Sequence, residues 1–173
     1  MPTLLPWKSV LENVLAGAHI SMHANLWEEA LNLPRSASQE RSVREKAMHL
    51  VDVLGLSAVA EESAISLPLG LQKLLEIARA LMAGPKVLLL DEPAAGLNDT
   101  ETLRLAELLV AINAAGVTMV VVEHNMSLVM SISQDIVVLD AGRVIARGTP
   151  AAVQADERVI EAYVGRATDA VAS

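Results

Sequence analysis

Two short, wholly apolar runs constrain this chain more than any other feature. Val87–Leu90 closes on Asp91, and Val117–Val122, rich in β-branched residues, closes on Glu123. Runs of this kind suit parallel strands covered by helices on both faces. Between them lies a helical segment. Asn98 or Asp99 can cap its start, Leu105, Leu108, Leu109 and Ile112 form its stripe, and Gly116 ends it. Strand, helix and strand at this spacing read as a right-handed crossover unit.

The remainder is organised around that unit. From Val10 to about Ala60 the pattern is helical, and Leu33–Glu40 reads as a loop between two helices. Val43, Ala47, Leu50, Val51 and Leu54 recur at helical spacing, with Gly55 as the stop. Leu67–Gln72 reads as a loop that runs into a helix over Lys73–Met82. Ile136–Leu139 and Val144–Ala146 predict a hairpin across Asp140-Ala141-Gly142. Thr149-Pro150 starts a last helix carrying Val153, Val159, Ile160 and Tyr163, closed by Gly165, and Arg166–Ser173 is a loose tail.

Composition excludes several classes. The chain has 173 residues, enough for a buried core, and 53% of them are hydrophobic, so disorder is not its main state. No apolar run approaches the roughly 20 residues of a membrane span. The start, Met1–Lys8, carries no signal-peptide pattern. Cysteine is absent, which excludes disulfides and thiolate metal sites. A net charge of −8 makes nucleic acid a poor partner.

The chemistry concentrates at Asp91-Glu92. Open α/β sheets place ligands at the carboxyl ends of their strands. Two adjacent acids there can divide labour: Asp91 can hold a magnesium ion, and Glu92 can orient or deprotonate a water. Gly70 near a helix start leaves backbone N–H groups open to an anion. Ala94–Asp99 is a turn of small residues leaving the acids, and His124 follows the second strand, where it can donate a hydrogen bond to a phosphate. His19, His23 and His49 show no metal-ligand spacing.

In this order, Leu67–Gln72, Val87–Pro93, Gly96–Asn98 and His124 resemble the second half of an ABC-transporter ATP-binding subunit. They stand where that family has its signature loop, Walker B strand, D-loop and switch histidine. Leu75–Leu81, Asp91–Asn98, Gly148-Thr149-Pro150, Val159–Gly165 and an insert around Trp27–Gln39 are similar to the branched-chain amino-acid importers. The resemblance implies an α/β fold: a partial P-loop ATPase core, a mostly parallel sheet with flanking helices, beside an α-helical subdomain. It implies a helical subdomain over 1–83, the core over 84–150, and a C-terminal helix and tail over 151–173.

For function, the resemblance implies ATP and Mg²⁺ as cofactors, with Asp91 on the metal, Glu92 as general base and His124 on the γ-phosphate. Pro68, Leu69, Gly70, Leu71 and Gln72 would face a nucleotide held by a second ATPase subunit. Gly96, Leu97 and Asn98 would communicate across that dimer. The implied partners are permease subunits, a second ATPase subunit and an external binding protein, on the inner face of the cell membrane. Neither nucleic acid nor direct contact with the transported substrate is implied.

Two departures follow. Lys8-Ser9 alone has the dipeptide of G-x-x-x-x-G-K-[ST], with Trp7 where the glycine belongs, so the phosphate-binding loop is expected upstream of Met1. The chain alone is therefore expected neither to bind ATP tightly nor to hydrolyse it. Its second strand is expected to show an unpaired edge unless the Ile136 hairpin covers it. The usual Leu-Ser-Gly-Gly-Gln signature is also altered, with Pro68 for serine, Leu69 for glycine and Leu71 for glutamine. A second reading is a non-catalytic fragment or regulatory mimic that docks on a permease or ATPase. A third, a DNA-repair or chromosome-maintenance ATPase, lacks the heptad coiled coil it would need.

Overall fold

The computed structural model describes residues 4–22 and 37–162. The chain divides into two compact units, Met1–Val122 and Glu123–Ser173.

The first unit opens with helix α1 (Val10–Met22). Ser9 and Glu12 form a capping box there: Ser9 Oγ accepts from the Glu12 N–H at 3.2 Å, and Glu12 Oε2 accepts from the Ser9 N–H at 2.9 Å. The backbone N–H groups of Val10 and Leu11 donate to the carbonyls of Glu62 and Ala60, so a distant loop satisfies this helix end. Helix α2 (Ala37–Val53) and helix α3 (Leu69–Met82) complete a helical body. Short 3₁₀ turns at Ser57–Val59 and Ala64–Ser66 lie between them. Val10, Val14, Ala47, Val51, Leu56, Leu75 and Ala78 bury one another in its core. Asn13, also buried, donates its amide to the carbonyls of Leu5, Lys8 and Ser9 and accepts from the Leu5 N–H. It ties the segment before α1 to the helix.

Strand β1 (Val87–Asp91), helix α4 (Asp99–Ala114) and strand β2 (Thr118–Val122) follow. The strands pair in parallel, Val87 opposite Thr118 and Asp91 opposite Val122, as the apolar runs predict. Coverage differs from the expectation. Leu88 and Leu90 are buried, whereas Val87, Leu89, Val120 and Val122 are 53%, 68%, 52% and 60% exposed. Among the described residues one face of this sheet is bare, because apolarity on both faces records what a strand tolerates and does not provide a second layer. Among the described residues β2 pairs with β1 alone.

Two helix boundaries also differ. Residues 37–40 of the expected loop already belong to α2, where the Glu40 carboxylate suits the first turn. Residues 33–36 of that loop, and 27–36 of the expected insert, lie outside the described residues. Helix α3 begins at Leu69, not Lys73. Pro68 at its N-cap has φ −54°, and the Gln72 N–H donates to the Pro68 carbonyl at 3.1 Å. A proline is well placed there because no N–H is required of it.

In the second unit, helix α5 (Met126–Ile132) precedes an antiparallel hairpin of β3 (Ile136–Asp140) and β4 (Arg143–Gly148). Its turn is Ala141-Gly142, both at positive φ, in a two-residue hairpin. Strands β3 and β4 pair only with each other among the described residues. The single last helix of the expectation is broken. Helix α6 (Pro150–Gln154) stops, and a second helical stretch begins at residue 157 and is described to 162. Asp156 causes the break: its Oδ1 accepts from the Arg158 N–H at 3.0 Å and its carbonyl from the Val159 N–H. Tyr163, Gly165 and the tail lie outside the described residues.

Candidate functional site

The strand β1 carries its apolar run to Asp91 and releases the chain at Glu92. Asp91 and Glu92 are exposed, and the Pro93 that follows is fully buried. Glu92 has φ +44°, a left-handed backbone that a side chain disfavours. Anchors on both sides hold it. The Glu92 N–H donates to the Val122 carbonyl at 2.9 Å, and the Glu92 carbonyl accepts from the Ala95 N–H at 3.1 Å. Strain of this kind persists where the surroundings over-determine the conformation, and it concentrates at functional sites.

A second turn, Leu97 N–H to Ala94 carbonyl at 3.1 Å, carries the chain toward α4. Asn98 is the N-cap, as its residue type predicts, and it forms a capping box with Glu101. Gly96 has φ +78°, and a β-carbon there would stand 2.6 Å from Leu69 Cδ2. The loop Gly96–Asn98 therefore packs directly on the first turn of α3.

That first turn holds the expected loop Pro68–Gln72, and its residues have separate tasks. Leu69 reaches Gly96. Gly70 faces the carboxylate of Glu101. Leu71 packs against the helical core, which gives a packing reason for leucine in place of an amide. Gln72 donates its side-chain amide to the Leu67 carbonyl at 2.9 Å and so fastens the helix start. A cleft of about 80 Å³ between α3 and α4 is lined by Gly70, Leu71, Leu97, Glu101 and the cations Lys73 and Arg104. Glu101 belongs to none of the chemistry-bearing motifs that the sequence displays. Its signal is the Asn98-x-x-Glu101 spacing of a capping box.

His124 belongs to the second unit. Its ring is 76% exposed, while the neighbouring Glu123 side chain is 1% exposed. Glu123 Oε2 accepts from the backbone N–H groups of His124 and Asn125 at 3.0 and 3.2 Å, which fixes the backbone under the ring. Asn125 then caps α5 by accepting from the Leu128 N–H.

The structure thus brings Pro68–Gln72 and Gly96–Asn98 into contact and sets Asp91 and Glu92 at the end of the adjoining strand. Among the described residues no group of three or more His, Cys, Asp or Glu could hold a metal ion by itself. No helix among them is long and apolar enough to cross a membrane.

Comparison with known proteins gives consistent matches. The family model described as ABC transporter matches residues 2–95, and that of the branched-chain amino acid ATP-binding cassette transporter matches residues 143–169. The chain is 40% identical over 160 residues to the high-affinity branched-chain amino acid transport ATP-binding protein BraF of Pseudomonas aeruginosa. It is 38% identical over 160 residues to the protein LivG, named likewise, of Escherichia coli. Each alignment covers 92% of this chain and 63% of the relative, so the chain spans less than two thirds of those proteins' length. Among solved structures, an ATP-binding cassette of an ABC transporter in its ADP conformation superposes with a TM-score of 0.75 at 30% identity, covering 93% of this chain and 64% of that one. A nucleotide-free ATP-binding cassette gives 0.72 at 29%, covering 92% and 64%.

Proposed function

This chain belongs to the ABC transporter family, and on that premise we propose that it supplies the hydrolytic part of an ATP-binding subunit serving branched-chain amino-acid import. The observation that carries this reading is the exposed Asp91-Glu92 pair at the carboxyl end of β1, held in a strained turn within the stretch that the family model matches.

The residues present fit two groups. An exposed carboxylate at a strand end is the donor Mg²⁺ commonly takes, one or two carboxylates completing a shell of phosphate and water. Asp91 is that donor. When bound, Mg²⁺ neutralises charge on the phosphate oxygens. The first turn of α3 leaves backbone N–H groups around Gly70 without an acceptor in their own helix, and these would suit a terminal phosphate presented by a second ATPase subunit. Glu92 orients the attacking water and accepts its proton. His124 donates a ring N–H to the terminal phosphate. Pro68–Gln72 form the face toward the second subunit's nucleotide, and Gly96, Leu97 and Asn98 cross to that subunit.

Nothing in the 173 residues supplies the backbone cradle and lysine that grip the β- and γ-phosphates. In our reading hydrolysis needs a phosphate-loop segment outside these 173 residues, a second ATPase subunit and permease subunits, at the inner face of the cell membrane. Residues 1–83 would serve as the helical subdomain meeting the permease and residues 84–150 as the hydrolytic core.

A second reading is that the chain docks on a permease or ATPase without turnover. Co-production with a first-half fragment bearing a phosphate loop separates the two. The first reading expects magnesium-dependent ATP hydrolysis that falls roughly 10²- to 10⁴-fold in Glu92→Gln. Hydrolysis indifferent to that substitution would overturn it. Inhibition of transport by a complete subunit set, without turnover, would establish the second.

A further inference from the structure

The capping box at the start of α4 reaches beyond its own helix. Asn98 Oδ1 accepts from the Glu101 N–H at 3.0 Å, and Glu101 Oε2 accepts from the Asn98 N–H at 3.0 Å. The other carboxylate oxygen, Oε1, lies on Gly70 in the first turn of α3. A β-carbon at Gly70 would stand 2.7 Å from that oxygen and 3.1 Å from the carboxyl carbon. The box at the start of α1 shows that this is not a property of capping boxes in general. There the second oxygen of Glu12 pairs with Lys8, its sequence neighbour, at the exposed surface.

A second contact runs the opposite way. Leu69, one residue before Gly70, places Cδ2 where a β-carbon of Gly96 would be, at 2.6 Å. Each side of this junction thus lacks a side chain where the other inserts one. Gly70 receives Glu101 from the α4 side, and Gly96 receives Leu69 from the α3 side. One carboxylate also lies at the N-terminal turns of two helices, where negative charge is favoured in both.

We propose that Glu101 is a positioning residue that fastens the first turn of α3 to the loop Gly96–Asn98, so that the two segments hold one fixed spacing. Its functional consequence rests on the reading above: both segments would meet a second subunit, and the fastening would present them to it as one rigid piece. The fastening itself involves no nucleotide, so it can fail or stand independently of that reading.

The test is a double-mutant cycle on the full chain, read by melting temperature and by amide hydrogen exchange. Gly70→Ala is expected to leave the melting temperature nearly unchanged, because displacing the end of the Glu101 side chain from its cap offsets the helix gain of alanine. In a Glu101→Ala background the same substitution is expected to raise it, because alanine is the better helix residue once the obstacle is gone. An equal effect of Gly70→Ala in both backgrounds overturns the proposal. Should Gly70→Ala fail to fold, exchange in the Glu101 variants decides alone. Glu101→Ala is expected to speed exchange at Gln72 and Lys73, in α3, as well as at Thr102, in α4, by roughly tenfold, a loss of the size seen for caps. Glu101→Gln keeps an acceptor for the Asn98 N–H and is expected to retain most of the protection. Acceleration confined to α4 in Glu101→Ala would show an ordinary cap and overturn the proposal.

Discussion

The helical body α1–α3 and the strand pair β1–β2 are adjacent in sequence and opposite in completeness. The helices bury Val10, Val14, Leu56 and Leu75 on one another, and even their buried amide, Asn13, has its oxygen and nitrogen bonded. The strands bury Leu88 and Leu90 and leave the row of Leu89, Val120 and Val122 exposed. The start of α3, Pro68–Gln72, therefore rests on a closed core, whereas the acids Asp91 and Glu92 sit at the end of a sheet clothed on one side among the described residues.

That contrast gives the largest expected effect. Leu75→Ala removes a fully buried side chain from the closed core and is expected to cost about 2–5 kcal/mol. Leu89→Ala, on the bare face, is expected to stay within about 0.5 kcal/mol. Urea denaturation of both variants, repeated over a range of protein concentrations, checks the pair. A cost at Leu89 approaching that at Leu75, and growing with concentration, would mean that another chain covers the sheet.

The next effect is a gain. Glu92 holds a left-handed backbone that costs a side-chain-bearing residue about 1–2 kcal/mol. Glu92→Gly relieves it and is partly offset by the entropy of a freer unfolded chain. We expect a net stabilisation of up to about 1 kcal/mol in a variant stripped of its proposed base, measured by thermal melting. Unchanged or lowered stability would show that the Glu92 side chain contributes to the fold.

The smallest effect is electrostatic and belongs to the helical side. The Ser9 N–H, and then Lys8, hold the exposed Glu12 carboxyl below its ordinary value of 4.5. A lowered folded value means that Glu12 stabilises the fold fully above the ordinary value, and that this contribution fades as pH falls through the lowered one. Melting curves of the native chain and Glu12→Gln should differ by a constant amount near neutrality and converge in acid. Curves that stay apart below that range would contradict the assignment.

The sequence disclosed the features that rest on local rules. Parallel strands ending in acids, the Asn98 cap, the stops at Gly55 and Gly116, and the hairpin turn are all present. What it concealed depends on distance. Apolar periodicity reports which faces of β1 and β2 tolerate burial and says nothing of what covers them. The start of α3 was misplaced because Pro68-Leu69-Gly70 reads as a loop until Gln72 is seen to bond Leu67 and Pro68. Half of Glu101 was readable, since the box spacing is local. The other half, its oxygen on Gly70, belongs to no local pattern. His124 is readable as a residue type at a strand end, and its exposed ring next to the buried side chain of Glu123 emerges only from the fold.

The most direct test of the account is calorimetric titration of the 173-residue chain with Mg-ATP. We expect no heat of binding at micromolar nucleotide, because the phosphates that Asp91, Glu92 and His124 are proposed to address would have no cradle within these 173 residues. A micromolar affinity that weakens in Asp91→Asn would contradict the account and would place a complete nucleotide site within these residues.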